Sequence, residues 1–209
     1  MPQTSEDKIV FVVDDDGDVR AGLKALLDSV EIRCEVFRST QEFLQRPPTD
    51  EPCCLILDVR LPGASGLDLQ RVLSDAKINI PIIFISGHAD VSMSVKAMQA
   101  GAFGFFTKPV REQELLDSIH RALDRDAERR QREKVVKELR ARYDTLTARE
   151  REVMSMVTAG LLNKQAAGAI GLSEVTIKVH RHNMMKKLGA GSLPELVRMA
   201  DMLGVEPNR

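Results

Sequence analysis

No stretch of the chain approaches the ~20 consecutive apolar residues that a membrane helix needs, and Met1 to Lys8 is polar, without the apolar centre of a signal peptide. A soluble, cytoplasmic protein without a membrane partner is therefore expected. Cysteine is scarce: Cys34, Cys53 and Cys54 are the only three, and they lack metal-ligand spacing. All fall in or beside expected strands, so they are expected to be reduced core residues. Proline and glycine are missing from Arg111 to Arg142, so nothing there interrupts a helix. Net charge is also nearly absent, at -1, but it is unevenly spread. Residues 1 to 110 hold 11 basic and 16 acidic side chains, and residues 111 to 209 hold 19 and 15. This modest asymmetry hints at a polyanionic partner for the second half, although ordinary solvated faces account for it equally well. At 209 residues and 43% hydrophobic, the chain can bury one large core or two smaller ones, and the charge division favours two.

What is present in the first half is a series of short apolar runs, each ending in a polar residue. Ile9 to Val13 leads into Asp14-Asp15-Asp16, Cys54 to Leu57 into Asp58, Ile82 to Ile85 into Ser86-Gly87, and Phe103 to Phe106 into Thr107-Lys108-Pro109. Such runs are too short for typical helices and read as buried strands. With Cys34 to Phe37 they make five strands. The intervening segments have helical spacing: Val19, Leu23, Leu26, Leu27 and Val30 form one inward stripe, and Leu67, Leu69, Val72 and Leu73 another. Strands alternating with helices require a parallel, doubly wound α/β sheet with right-handed crossovers. In such a sheet the carboxyl ends of the strands form the ligand-binding edge.

At that edge Asp14, Asp15 and Asp58 gather within a few ångströms, where like charges repel unless a cation lies among them. Mg²⁺ suits an all-oxygen site of one or two carboxylates completed by water and phosphate oxygens. A metal-held acidic cluster with one carboxylate free to attack is a phosphoryl acceptor. Lys108 supplies a point charge for one phosphoryl oxygen, and the Ser86 hydroxyl donates to another. The plainer alternative is that Asp14 to Asp16 only caps the following helix. The convergence of Asp58, Ser86 and Lys108 on the same edge argues for chemistry instead.

Through Val13-Asp14-Asp15-Asp16, Leu57-Asp58-Val59-Arg60-Leu61-Pro62-Gly63, Ile85-Ser86-Gly87 and Lys108-Pro109, residues 8 to 125 resemble the receiver domain of two-component response regulators, a flavodoxin-like fold. The resemblance implies that a sensor histidine kinase phosphorylates Asp58. It implies that Asp15, Asp58 and the backbone carbonyl of Arg60 hold Mg²⁺, with Asp14 assisting through water, and that a cis peptide follows Lys108. Ser86 and Phe105 match the family's switch pair, with Phe where many members carry Tyr. Lacking the hydroxyl, this ring can be buried on switching but cannot form an outward hydrogen bond.

Beyond Arg111 the pattern is helical, with Leu115, Leu116, Ile119 and Leu123 in a stripe and a charge-rich continuation to Arg142. Between Ala127 and Lys134 no apolar residue is larger than alanine, so residues 126 to 143 read as a solvated linker helix. Thr147 and Glu150 form a capping box for a helix that buries Val153, Met154, Met156 and Val157. Asn163 is expected to cap a short helix through Ile170, Gly171 makes a turn, and Ser173 caps a third helix from Glu174 to Leu188. Two short helices joined by a glycine turn read as helix-turn-helix. On the third helix Ile177, Met184 and Leu188 share one face, and Val175, Lys178, Val179, His182 and Lys186 share another. The second face suits a major groove, with cations for phosphates and guanine edges and valine for a thymine methyl. A merely solvated basic face is the bland alternative.

Leu146-Thr147-Ala148-Arg149-Glu150-Arg151-Glu152-Val153, Asn163-Lys164-Gln165-Ala166-Ala167 and Thr176-Ile177-Lys178-Val179-His180-Arg181-His182 resemble the LuxR-type helix-turn-helix over residues 144 to 204. With the receiver, this resembles the FixJ and NarL group of transcription factors. In that group the positions of Lys178 and Val179 contact bases, and the helix from Ser192 to Leu203 often forms a dimer contact. His182 stands where some members have lysine. The expected organisation is a receiver at 1–125, a helical linker at 126–143 and an all-α DNA-binding domain at 144–209. The expected partners are a sensor histidine kinase, double-stranded DNA, a second copy once phosphorylated, and RNA polymerase. An enzyme, such as a metal-dependent phosphatase, is the rival class. It would require a second acid/base residue, yet Arg60 rather than a carboxylate stands two residues after Asp58. A constitutive DNA-binding protein whose receiver only dimerises would not need the intact acidic cluster.

Overall fold

A strand that is apolar at every position needs cover on both faces, because successive side chains point to opposite sides of the sheet. The computed structural model, which describes residues 8–63, 65–87 and 91–206, shows this arrangement. Of the polar segment Met1 to Lys8, all but Lys8 lies outside the described residues. The chain divides into two compact units, Met1–Arg130 and Gln131–Arg209.

The first unit contains β1 (Ile9–Val13), α1 (Gly17–Ser29), β2 (Arg33–Phe37), α2 (Thr40–Gln45), β3 (Cys53–Asp58), α3 (Gly66–Asp75), β4 (Ile82–Ser86), α4 (Val91–Gln99), β5 (Gly104–Thr107) and the first part of α5 (Glu112–Asp144). The five strands are parallel in the order β2-β1-β3-β4-β5. On one face Phe11, Leu55, Leu57 and Phe84 pack with Phe43, Leu69, Leu73 and Ala97 from α2, α3 and α4. On the other, Val10, Val12, Ile56 and Ile83 pack with Leu27 of α1 and Leu115, Ile119 and Leu123 of α5. The doubly wound architecture is as the sequence implies.

Several details differ from expectation. Val30 and Val72 are exposed rather than inward. Val30 is the C-cap of α1, where the helical periodicity that placed it no longer applies. Cys34 is only partly buried, because β2 is an edge strand with one side uncovered, whereas Cys53 and Cys54 lie in the core. Burial pushes the Cys34 and Cys53 thiols up to about 11, which keeps both protonated and unreactive at neutral pH. The segment after residue 125 is not simply solvated: Asp126 is wholly buried and accepts a hydrogen bond from the Cys53 N–H at 2.9 Å.

The second unit contains the remainder of α5, α6 (Ala148–Thr158), α7 (Asn163–Ile170), α8 (Glu174–Leu188) and α9 (Leu193–Leu203). Its core joins Leu139 and Leu146 to Val153, Met154, Met156, Val157, Ile177, Met184, Leu188 and Leu196. The capping box at the start of α6 is complete, with Glu150 N–H donating to Thr147 Oγ1 and Thr147 N–H to Glu150 Oε2. Asn163 does not cap α7. Leu162 holds the cap position and Asn163 is the first helical residue, whose side chain accepts from Arg181 of α8 at 3.3 Å. Gly171 ends α7 with φ of 67°, a left-handed conformation that glycine adopts without strain. Among the described residues no helix is long and apolar enough to cross a membrane.

Candidate functional site

Strand pairing decides which side chains meet. Val13 pairs with Leu57, Asp58 with Ile85, and Ser86 with Thr107. The residues at or just past these strand ends, Asp14, Asp58, Ser86 and Lys108, therefore share the carboxyl edge of the sheet. β1 lies between β2 and β3, so the edge includes the point where strand order reverses, the place where doubly wound sheets open a crevice.

Asp14 and Asp58 are buried, and Asp15 beside them is exposed. One carboxylate oxygen from each of the three lies within 4.8 Å of the others. The Lys108 ammonium donates to Asp14 Oδ2 at 2.8 Å and to Asp58 Oδ2 at 2.7 Å, bridging the two buried acids. The remaining oxygens meet the backbone: Asp16 N–H donates to Asp14 Oδ1 and Arg60 N–H to Asp58 Oδ1, each at 2.9 Å. Burial raises the Asp14 pKa, and Asp58 adds to the rise, while the Lys108 ammonium and the Asp16 amide oppose it. Burial also works against the Lys108 charge, but its hydrogen bonds to Asp14 and Asp58 outweigh that and raise its pKa. Three carboxylates around one ammonium leave an acidic cluster with an all-oxygen donor set, which fits a hard divalent cation.

Ser86 is fully buried at the end of β4, and its carbonyl accepts the Lys108 N–H at 2.9 Å. The Lys108–Pro109 peptide is cis. Phe105 is partly buried, its ring centroid 6.2 Å from that of Phe84. Arg60 is exposed two residues beyond Asp58.

Two contributors were not read from the sequence, and a third was read only as one of three capping acids. Arg20 of α1 donates to the Asp14 carbonyl at 2.6 Å and so fixes the loop that carries the acids. Gly66 opens α3 so close to β3 that a Cβ there would collide with the Asp58 carbonyl oxygen. The Leu-Pro-Gly turn before it was a signal that the chain doubles back here. Asp16 caps α1 by accepting from Asp18 and Val19 N–H. The capping role weighed for the whole acidic triplet thus belongs to its third member, leaving the first two for the site.

In the second unit, Val175, Lys178, Val179, His182 and Lys186 are all exposed on α8, and Ile177, Met184 and Leu188 are buried, as the helical wheel implies. Val175 is 70% exposed and Val179 52%, an apolar pair that burial in this unit does not explain. Glu150 at the start of α6 is buried and receives the Lys187 ammonium of α8 at 2.7 Å. Although burial opposes its charge, Lys187 and the Thr147 hydrogen bonds hold the Glu150 carboxyl below its usual value.

Residues 10–120 match the response regulator receiver domain, and residues 144–200 match the luxR family of bacterial regulatory proteins. The chain is 47% identical over 206 residues to nodulation protein W of Bradyrhizobium diazoefficiens, covering 99% of this chain and 91% of that protein. It is 41% identical over 202 residues to the transcriptional regulatory protein FixJ of Rhizobium meliloti, covering 97% and 99%. Among solved structures, response regulator StyR superposes with a TM-score of 0.83 at 46% identity, covering 93% of this chain and 98% of that one. A receiver followed by a luxR-type domain defines a class of two-component transcription regulators. The chain belongs to the response regulators, in the FixJ/NarL-type group with a LuxR-type DNA-binding domain.

Proposed function

We propose that Asp58 is the phosphoacceptor of a sensor histidine kinase and that its phosphorylation switches dimerisation and sequence-specific DNA binding through α8. The observation that carries this reading is the Lys108 ammonium bridging buried Asp14 and Asp58 beside exposed Asp15. In the transfer, an Asp58 carboxylate oxygen forms a bond to phosphorus as the P–N bond of the phosphohistidine breaks, and the bonding electron pair returns to the imidazole nitrogen. Asp15, Asp58 and the Arg60 carbonyl would hold Mg²⁺, with Asp14 acting through water. The ion would supply charge neutralisation for the transferred group. Lys108 pairs with one phosphoryl oxygen and the Ser86 hydroxyl donates to another. Drawing Ser86 toward phosphate makes room for Phe105 to pack inward, shifting the population between two states of α4 and β5.

On α8, Lys178 and Val179 are the proposed base-reading pair, with Val175 and His182 beside them and Lys186 on the phosphate backbone. One short helix reads few base pairs, so useful specificity needs two copies about one helical turn apart on a two-fold site. The proposed partners are therefore the kinase, double-stranded DNA and a second copy, with RNA polymerase at the promoter and the cytoplasm as location. The segment from 144 onward is the proposed DNA-binding domain, with 126–143 joining it to the receiver. The test is incorporation of labelled phosphate from a small phosphodonor. Wild type should label only with Mg²⁺, and Asp58→Asn should not label. Undiminished labelling of that variant would sink the assignment.

A further inference from the structure

Gln70 lies one turn into α3, and its buried side chain reaches across to a different helix. Its Nε2 donates to the Ala97 carbonyl at 3.2 Å and to the Ala100 carbonyl at 3.0 Å, both at the C-terminal end of α4. The two amide hydrogens are thereby used, but Oε1 is buried without a donor. An unpaired buried amide oxygen is costly, and an apolar side chain of similar length would avoid the cost. The carbonyls do not depend on glutamine either. Ala97 O also accepts from Ala102 N–H at 3.0 Å, and Ala100 is exposed to water. Stability alone therefore does not account for glutamine at this position.

What glutamine adds is a fixed point. α4 is held unequally along its length. At its C-terminal end Ala97 is wholly buried, and Gly101, with φ of 88°, donates its N–H to the Met98 carbonyl at 3.0 Å to close the helix. At the other end Val91 is 79% exposed, and Val95 is exposed as well. Ser86, the residue proposed to move toward phosphate, ends β4 and precedes this loose end. The pin itself leads back to the phosphoacceptor. Gly66, one turn before Gln70, abuts the Asp58 carbonyl so closely that no Cβ fits there.

We propose that Gln70 is a positioning residue for the switch: it pins the C-terminal end of α4 to α3, so that a change at Ser86 turns α4 about that end instead of shifting the helix as a whole. The proposal rests on the phosphate-dependent switch at Asp58. Without the pin, movement at the Ser86 end is dissipated along the helix, and less of the bias between the two states of α4 reaches the DNA-binding function.

The test uses the full chain and a duplex that phosphorylated wild type selects from a random-sequence pool. Gln70→Met removes both hydrogen bonds and the unpaired oxygen while keeping the side-chain length. It should take up labelled phosphate at Asp58 as wild type does, which shows the acidic site intact. The ratio of its affinities for the duplex with and without acetyl phosphate and Mg²⁺ should fall by ~2- to 30-fold relative to wild type, the span that residues within a coupling network command. A purely structural role would leave that ratio unchanged. Amide NMR supplies a second measurement that needs no variant. On phosphorylation of wild type, the Val91 and Ser92 resonances should move while those of Gly101 and Ala102 stay nearly in place; in Gln70→Met all four should move. The proposal is overturned if Gln70→Met keeps the wild-type ratio, or if Gly101 and Ala102 move as far as Val91 and Ser92 in wild type. A wild type that gains no affinity on phosphorylation would instead strike the Asp58 switch itself, and the pin with it.

Discussion

At the scale of single residues, the site works by setting buried charges against one another. Lys108 satisfies one oxygen of Asp14 and one of Asp58, while backbone amides satisfy the other two. Ser86 differs from these because its proposed role is to report the phosphate rather than to accept it. Ser86→Ala should therefore take up phosphate at Asp58 nearly as wild type does but fail to gain DNA affinity. Parallel labelling and gel-shift titrations check this, and a normal phosphate-dependent gain in the variant would remove Ser86 from the switch. The acids, Ser86 and Lys108 were legible because each ends an apolar run, and strand periodicity places such residues at one edge. Arg20 and Gly66 were not, because their roles depend on how closely α1 and α3 approach the loops after β1 and β3. No one-dimensional pattern encodes that distance.

At the scale of elements, α8 is held along its buried face and at its C-terminal turn, and the proposed DNA contacts lie on its exposed face. Its C-terminal turn is tied to α6 through Lys187 and buried Glu150, the same carboxylate that accepts the Thr147 N–H in the α6 capping box. Glu150 has a lowered folded-state pKa. Its contribution is therefore fully present above the unfolded value near 4.5 and lost as pH falls through the folded value. Unfolding followed by helical circular dichroism should show acid destabilisation below about pH 4.5 that Glu150→Gln reduces, with a stability loss of about 2 kcal/mol in that variant at pH 7. An unchanged acid profile would show that the pair does not hold α8. On the exposed face, Lys178→Ala should cost roughly 1 to 3 kcal/mol and relax base preference, whereas Lys186→Ala should weaken all sequences alike and flatten the salt dependence. A panel of operator variants titrated at several salt concentrations separates the two. The buried and exposed faces of α8 were readable from 3.6-residue spacing alone. Val72 and Val30 were misplaced by the same rule, since an apolar residue at a helix margin fits the stripe without a neighbour to cover it. Asn163 was misread because its side chain bonds to Arg181 across to α8 instead of capping its own helix.

At the scale of the whole molecule, an acidic receiver and a basic DNA-binding unit share one continuous helix in sequence, α5, of 33 residues. The two-unit organisation was visible in the charge division and in the change from alternating strands to helices only. The docking of residues 126 to 130 was hidden, because Asp126, Arg129 and Arg130 look like a solvated charge run until the network around Asp126 is seen. The proposed control of α8 by phosphate on Asp58 is tested by titrating operator DNA with the intact chain before and after treatment with acetyl phosphate and Mg²⁺, in wild type and Asp58→Asn. Wild type should gain affinity by ~5- to 150-fold, the usual span of coupling between sites, and Asp58→Asn should gain nothing. An equal gain in both proteins, or none in fully phosphorylated wild type, would contradict the account.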